Sequence, residues 1–180
     1  LDAPLDDSGF TLRQLDGKRR RNELEFWFPL NELRADALEK LLPGLGDGIN
    51  GPRLSFAPVN GLLQGFIDLV YEHGGRWYVL DWKTNKLGPD ASHYTHEHLA
   101  RAVAQHRYDL QYTLYTLALH RHLQRALGGR YEPAQHLGGV HYLFLRGLQP
   151  DNPARPGVWH VPADIARIVA LDALCRGRSA

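Results

Sequence analysis

The fold is decided by the stretch Gly65-Phe66-Ile67-Asp68-Leu69-Val70-Tyr71 and by the run that follows it, Trp77-Tyr78-Val79-Leu80-Asp81-Trp82-Lys83. Both runs are rich in β-branched and aromatic residues, and the Gly74-Gly75 pair between them predicts a β-hairpin with a two-residue turn. In that register His73 pairs with Arg76. Continuing the count places Asp68 directly opposite Asp81, on the same face of the sheet.

Two opposed aspartates inside apolar strands predict a cation site. Opposed Cβ atoms lie about 5 Å apart, so the carboxylates would repel each other, and burying them is costly. A bound cation is the simplest compensation, and carboxylate oxygens are ligands that suit Mg²⁺. We therefore expect Asp68, Asp81 and the backbone carbonyl of Trp82 to hold Mg²⁺, with Mn²⁺ or Ca²⁺ as substitutes in binding.

Lys83 lies two residues after Asp81 and therefore projects from the same face. Phosphodiester hydrolysis needs a positioned nucleophile and neutralisation of the charge that develops on the phosphate, and a carboxylate-bound metal ion supports both. Lys83 would position or deprotonate the attacking water, or neutralise the phosphate. The alternative for Asp68, Asp81 and Lys83 is an ion-pair cluster without chemistry, which is disfavoured because three ionisable groups in apolar strands are costly.

Composition indicates a globular domain without a membrane span or a general nucleic-acid signature. The 180 residues are 43% hydrophobic and 23% charged, with a net charge of +1. No apolar run approaches the ~20 residues that a membrane span requires. The lone Cys175 leaves no intrachain disulfide and fits the reducing cytoplasm. The basic run Lys18-Arg19-Arg20-Arg21 is interpreted as a solvated loop edge.

Hydrophobic periodicity and turn residues predict an α/β domain. The predicted elements are a polar loop over 1–21 with a short helix near Leu12 to Leu15, a strand over 23–29 closed by Pro29, a helix over 31–42, a Gly- and Pro-rich connection over 43–60, hairpin strands over 61–72 and 76–83, a loop over 85–95, a long helix over 97–127, a strand over 139–145, a loop over 147–160 with Val158 to Val161 extended, and a helix over 163–175 opened by Pro162. This order predicts one domain, 1–180, with a central mixed β-sheet flanked by helices.

The arrangement of an aspartate on one strand, Asp-x-Lys on the next and Gln-x-x-x-Tyr on a following helix resembles the PD-(D/E)XK nuclease superfamily. Within it, the chain resembles the RecB-type nuclease domains, the C-terminal domains of exodeoxyribonuclease V beta subunits. The segments that carry this resemblance are Gly65 to Val70, Leu80 to Asn85, Tyr108 to Leu119 and Gly138 to Gly147. The combination of these motifs is specific. A bare acid-x-Lys triplet is not, because it is expected by chance roughly once in a chain of this length.

The resemblance implies a restriction-endonuclease-like core and Mg²⁺-dependent hydrolysis of DNA within a RecBCD-type helicase-nuclease for double-strand-break repair and recombination. It implies that Asp68, Asp81 and Lys83 are catalytic. Its further candidates for DNA binding or support of the site are Gln111, Tyr115, Lys86 and Asn85. The implied partners are the DNA strand that emerges from a helicase, RecC-like and RecD-like subunits, and the RecA recombinase.

Gln111 and Tyr115 are four residues apart and share one face of the predicted helix. In the functional interpretation, that face of the helix points towards the site, where it contacts DNA or supports Lys83. The alternative is ordinary packing of the helix against the sheet. Tyr108 lies on a nearby face of the helix and is a weaker candidate.

One feature of the family has no counterpart in this sequence. A histidine on an upstream helix completes the metal shell in the family, but the first histidine here is His73, in the hairpin turn. The chain also lacks methionine and begins at Leu1. These observations predict a C-terminal fragment of a larger helicase-nuclease subunit that lacks an upstream helix and is weakly active or inactive in isolation.

Two further readings compete with the nuclease. A non-cleaving module that holds single-stranded DNA or docks a partner would not need Asp68, Asp81 and Lys83. His93, His96 and His98 could suggest zinc, but with no cysteine partner nearby a solvated loop is the better interpretation.

Overall fold

The computed structural model of the chain describes residues 1–43 and 51–177. Within them, five strands form one sheet: β1 (Arg20–Leu33), β2 (Val59–His73), β3 (Arg76–Lys83), β4 (Leu137–Phe144) and β5 (Val158–Pro162). The helices are α1 (Ala35–Lys40), α2 (His96–Gln105), α3 (Tyr108–Leu127), α4 (Pro133–His136) and α5 (Ile165–Cys175). Short 3₁₀ turns occupy Leu12–Gln14, Gly17–Arg19, Ala91–Tyr94 and Gly128–Arg130.

The strands of the sheet lie in chain order, from β1 at one edge to β5 at the other. β3 and β4 pair in parallel, and the other neighbours pair antiparallel. A parallel pair needs a long crossover connection, and α2 and α3 provide it. The helices pack with the main hydrophobic core on one face of the sheet. The predicted α/β class, with a central mixed sheet and flanking helices, is confirmed.

The N-terminal segment covers the opposite face of the sheet. Leu5, Phe10 and Leu12 form a second apolar cluster with strand residues that include Leu69 and Leu80. Both faces of the central strands are therefore buried, which explains why β2 and β3 read as nearly continuous apolar runs. Within the described residues, no helix is long and apolar enough to cross a membrane.

The hairpin between β2 and β3 has the predicted register. His73 pairs with Arg76, and the next four residue pairs follow in step. Gly74 and Gly75 have φ angles of 60° and 80°. A type I′ turn needs left-handed values at both central positions, and glycine adopts them without steric cost.

β1 is longer than predicted, and α1 is correspondingly shorter. Pro29 does not close the strand: it pairs with Leu62, and β1 continues to Leu33. An edge strand tolerates proline because its missing N–H can lie on the unpaired side. The helix predicted over 31–42 therefore begins only at Ala35.

The helix predicted over 97–127 is interrupted. Arg107, between α2 and α3, has a left-handed φ of 53°, a conformation that costs about 1–2 kcal/mol for a residue with a Cβ. Its guanidinium lies 3.0 Å from Asp109 and 3.3 Å from Glu39. These ion pairs stabilise the break, which turns the chain just before Tyr108.

Several other bounds differ slightly from the prediction. Pro162 ends β5 rather than opening α5, whose N-terminus is capped by the Asp164 side chain. The connection predicted over 43–60 ends earlier than expected, because β2 begins at Val59. Residues 44–50 of this connection lie outside the described part of the chain. The basic run from Lys18 to Arg21 is exposed, as predicted, but it is not a loop: Lys18 and Arg19 lie in a 3₁₀ turn, and Arg20 and Arg21 begin β1.

Candidate active site

The site begins where the pairing of β2 with β3 ends. The last paired residues are Leu69 and Leu80, so Asp68 and Asp81 lie one position beyond the ladder. There the Asp68 side chain bridges the two strands, because its Oδ2 accepts a hydrogen bond of 3.0 Å from the backbone N–H of Trp82. The predicted register is confirmed as far as Leu69 and Leu80, but the predicted direct pairing of Asp68 with Asp81 is not part of the ladder. At that level the Asp68 carboxylate, rather than a backbone group, makes the contact between the strands.

The side chains of β2 also lose their regular alternation between the two faces of the sheet at Asp68. Ile67 and Val70 both belong to the main core, whereas Leu69 packs in the second cluster. Residues an odd number apart should face opposite sides of a regular strand. On β1, Glu23 lies between residues that pair with Ile67 and Leu69, and it has a left-handed φ of 51°. Irregular backbone on both strands therefore accompanies the placement of the Asp68 carboxylate.

Asp81 and Lys83 form a buried ion pair on the helix-covered face. Lys83 Nζ lies 2.7 Å from Asp81 Oδ2, and the two residues are only 7% and 5% exposed. Burial raises the pKa of Asp81; Lys83 opposes the shift, and the nearby Asp68 adds to it. Without a cation, this would therefore be an unfavourable place for two negative charges, as the strand register predicts.

Gln111 on α3 connects the lysine to two tyrosines. Its Oε1 accepts hydrogen bonds from Lys83 Nζ at 2.7 Å and from the Tyr142 hydroxyl at 2.9 Å. Its Nε2 donates to the Tyr115 hydroxyl at 3.0 Å. The face of α3 that carries Gln111 and Tyr115 is therefore directed at the lysine, rather than only packed against the sheet.

Two aromatic rings flank the ammonium group of Lys83. Nζ lies 3.9 Å from the ring centroid of Tyr108 and 4.4 Å from that of Tyr142. Tyr142 was not predicted from the sequence as a residue of the site. It stands beside Asp81 because β4 pairs in parallel with β3, and no local pattern specifies that register.

The remaining sequence candidates lie at the edge of the site. Asn85 Oδ1 accepts a hydrogen bond of 3.1 Å from the Tyr108 hydroxyl, so Asn85 supports the ring beneath Lys83. The Trp82 side chain packs with the second cluster, and a ligand role for its carbonyl stays a prediction. Lys86 is exposed, and a DNA-binding role for it also stays a prediction.

Comparison with known proteins identifies the family. Residues 11–169 match the sequence model of the PD-(D/E)XK nuclease superfamily. The chain belongs to this superfamily. It is similar to the RecBCD enzyme subunit RecB of Escherichia coli K12, with 44% identity over 98% of this chain and 15% of that protein.

The similarity extends to RecB subunits of other bacteria. The subunit of the same name from Mycobacterium tuberculosis H37Rv is 39% identical over 98% of this chain and 19% of its own length. That of Buchnera aphidicola subsp. Acyrthosiphon pisum is 39% identical over 82% of this chain and 13% of its own length. The chain thus spans less than a fifth of each of these relatives.

Metal dependence is general among PD-(D/E)XK nucleases, and the donor set here fits a divalent cation in part. Asp68 and Asp81 supply carboxylate oxygens, and only one oxygen of each is engaged, by Trp82 and Lys83 respectively. Within residues 1–43 and 51–177, however, no group of three His, Cys, Asp or Glu side chains converges. The described residues therefore offer two carboxylate ligands for such a cation.

The three clustered histidines do not form such a group. His93 Nδ1 lies 3.2 Å from Asp90, the His98 ring contacts Thr95, and the His96 ring stacks on Trp159 at 4.5 Å. The rings of His93 and His98 also lie 6.0 Å apart. The loop predicted for this segment is wrong, because His93 lies in the 3₁₀ turn Ala91–Tyr94 and the other two histidines lie in the first turn of α2.

Proposed function

We propose that this chain is the metal-dependent deoxyribonuclease domain of a RecBCD-type helicase-nuclease, and that it hydrolyses DNA phosphodiester bonds at Asp68, Asp81 and Lys83. One observation carries the proposal: the hairpin register brings two carboxylates and an ammonium group together in apolar surroundings at the end of the β2–β3 ladder. Three such groups are costly in a fold that has no use for them. Similarity to RecB subunits over nearly the whole chain supports the same assignment.

The proposed roles follow from the contacts. Asp68 and Asp81 would hold Mg²⁺, for which Mn²⁺ or Ca²⁺ would substitute in binding, and the ion would supply Lewis acidity to the reaction. Lys83 places its ammonium group beside the scissile phosphate, where it orients the attacking water and offsets the developing negative charge. Gln111, anchored on Tyr115 and Tyr142, fixes the position of Lys83 Nζ.

We propose that the chain acts as one domain of a longer protein. The RecB relatives are five or more times its length, and the two carboxylates found here leave metal coordination positions for a ligand from an upstream helix. The isolated chain should accordingly be weakly active or inactive. The proposed partners are a single DNA strand delivered by a helicase and the other subunits of a RecBCD-type complex. RecA is a further proposed partner, supported only by the resemblance, and a DNA-repair role implies the bacterial cytoplasm.

The proposal is tested by cleavage of end-labelled single-stranded DNA with Mg²⁺, using the complete enzyme that contains this chain. Asp81→Asn should reduce cleavage by about 10²-fold or more, since it weakens metal binding and removes the partner of Lys83. The matched control is Asp172→Asn, which changes a partly buried aspartate on α5 whose carboxylate is 2.5 Å from Arg121. The control should cleave like the wild type.

Wild-type cleavage by Asp81→Asn would overturn the assignment. It would favour the alternative function, a non-cleaving module that holds single-stranded DNA or docks a partner. Equal losses in Asp81→Asn and Asp172→Asn would show that the complete enzyme merely requires a stable domain here.

A further inference from the structure

The ammonium group of Lys83 is enclosed by more than its two polar partners. Nζ contacts Asp81 and Gln111, and the rings of Tyr108 and Tyr142 lie over it at 3.9 and 4.4 Å. An ammonium group within about 6 Å of an aromatic centroid is attracted by the ring quadrupole, and the attraction grows when water is excluded. Lys83 is 7% exposed, so the two rings take the place of hydrating water.

Tyr108 is held in this position by neighbours that lie outside the metal site. Its hydroxyl donates to Asn85 Oδ1 at 3.1 Å, and Asn85 Nδ2 lies 3.3 Å from His106 Nε2. The His106 ring stacks on the Tyr108 ring at 5.2 Å. The left-handed turn at Arg107 separates His106 from Tyr108, so the helix break allows both side chains to reach Asn85.

The rings matter most once a cation occupies the site. When Asp81 donates to a metal ion, less of its negative charge remains for Lys83, and the metal ion itself repels the ammonium group. Lys83 would then swing towards solvent unless other groups held it. Gln111 supplies one hydrogen bond, and the two π-faces supply attraction that a metal ion does not remove.

We propose that Tyr108 is a positioning residue for Lys83. Its ring, fixed by Asn85, forms with Tyr142 an aromatic clamp that keeps the ammonium group aimed at the scissile phosphate. This inference rests on the catalytic role proposed for Lys83. It adds a function for the α2–α3 break, which the proposed chemistry alone does not explain. Tyr142 is fully buried and part of the core, so Tyr108 is the member that can be tested cleanly.

The test compares steady-state cleavage of labelled single-stranded DNA, which yields kcat and KM, by variants of the complete enzyme. Tyr108→Phe keeps the π-face and loses only the hydroxyl, so it should cleave within a few-fold of the wild type. Tyr108→Leu loses the π-face and should lower kcat about five- to thirty-fold, the range that one desolvated cation–π contact supports. KM should stay unchanged, because positioning acts on the chemical step rather than on binding.

The matched control is Tyr131→Leu. Tyr131 is also a half-buried tyrosine that hydrogen-bonds through its hydroxyl, to His120 Nδ1 at 2.8 Å, and its ring lies 5.4 Å from that of His120. It has no contact with Lys83, so its loss should leave kcat unchanged. Thermal melts establish that each variant folds, and Tyr108→Met replaces Tyr108→Leu if the latter does not.

A double-variant comparison separates positioning from general destabilisation. In a Lys83→Ala background, Tyr108→Leu should cause no further loss, because the group it positions is gone. Two outcomes would overturn the clamp and leave the proposed function intact. One is an equal loss of kcat from Tyr108→Leu in the wild-type and Lys83→Ala backgrounds. The other is a wild-type kcat for Tyr108→Leu when Lys83→Ala is strongly impaired. Wild-type cleavage by Lys83→Ala itself would overturn both proposals.

Discussion

Replacing Asp68 by Asn should stabilise the metal-free chain, because it removes one of two like charges and keeps an oxygen acceptor for the Trp82 N–H. At the ideal cross-strand separation of about 5 Å, two unit charges repel by about 3 kcal/mol at an effective dielectric constant of ~20, and by about 1 kcal/mol in water. Lys83 already offsets part of the charge of Asp81, and Asp68 is only half-buried, so the smaller value applies. A gain of about 1 kcal/mol corresponds to a rise in Tm of about 2 to 4 °C.

Asp68→Ala serves as the matched comparison, because it removes the same charge and the acceptor together. The unpaired Trp82 N–H costs about 1–3 kcal/mol, so this variant should melt below Asp68→Asn and at or below the wild type. Mg²⁺ should stabilise only the wild type appreciably. At ten times the dissociation constant the stabilisation is about 1.4 kcal/mol, through mass action on the folded state.

Calorimetric melts of the three proteins in EDTA and in excess MgCl₂ measure both effects. If Asp68→Asn melts below the wild type in EDTA, the carboxylate acts chiefly as a hydrogen-bond acceptor, and the repulsion argument for a cation site is refuted. Equal Mg²⁺ shifts in all three proteins would place the ion elsewhere.

Two further predictions concern the metal and the pH dependence of stability. Titration calorimetry should detect weak Mn²⁺ binding to the wild-type chain and none to Asp81→Ala, and equal binding by both would contradict the metal assignment. Burial lowers the pKa of His141 to about 3, below its unfolded value of about 6.5, so its contribution to stability is present above pH ~6.5 and is lost as the pH falls towards ~3. Urea unfolding should show about 2 kcal/mol less stability at pH 5 than at pH 6.5 from this group, and an equally steep loss in His141→Gln would contradict the assignment.

Local patterns suffice for the parts of the site that the chain places over short distances. The Gly74-Gly75 turn fixes the β2–β3 register, and period-2 alternation then brings Lys83 to the side of Asp81. The helical period places Gln111 and Tyr115 on one face. These placements depend on residues within one hairpin or one helix, so they could be predicted without knowledge of the rest of the fold.

The break between α2 and α3 could not be predicted in this way. It contains neither glycine nor proline, and the residue in the left-handed conformation is an arginine. Besides its pair with Asp109, Arg107 has partners that are distant in sequence: it pairs with Glu39 and donates to the carbonyl of Pro52. Propensity favours an unbroken helix over 97–127, and these contacts of Arg107, two of them tertiary, override that preference.

The position of Tyr142 in the sheet could not be predicted from local patterns either. Its position beside Asp81 results from the parallel pairing of β3 with β4, which the crossover through α2 and α3 imposes and which no turn residue encodes. Both features that escaped local reasoning, the helix break and the parallel register, converge on the ammonium group of Lys83. An acid-x-Lys pattern therefore specifies which groups the site contains, whereas long-range packing determines how firmly its lysine is held.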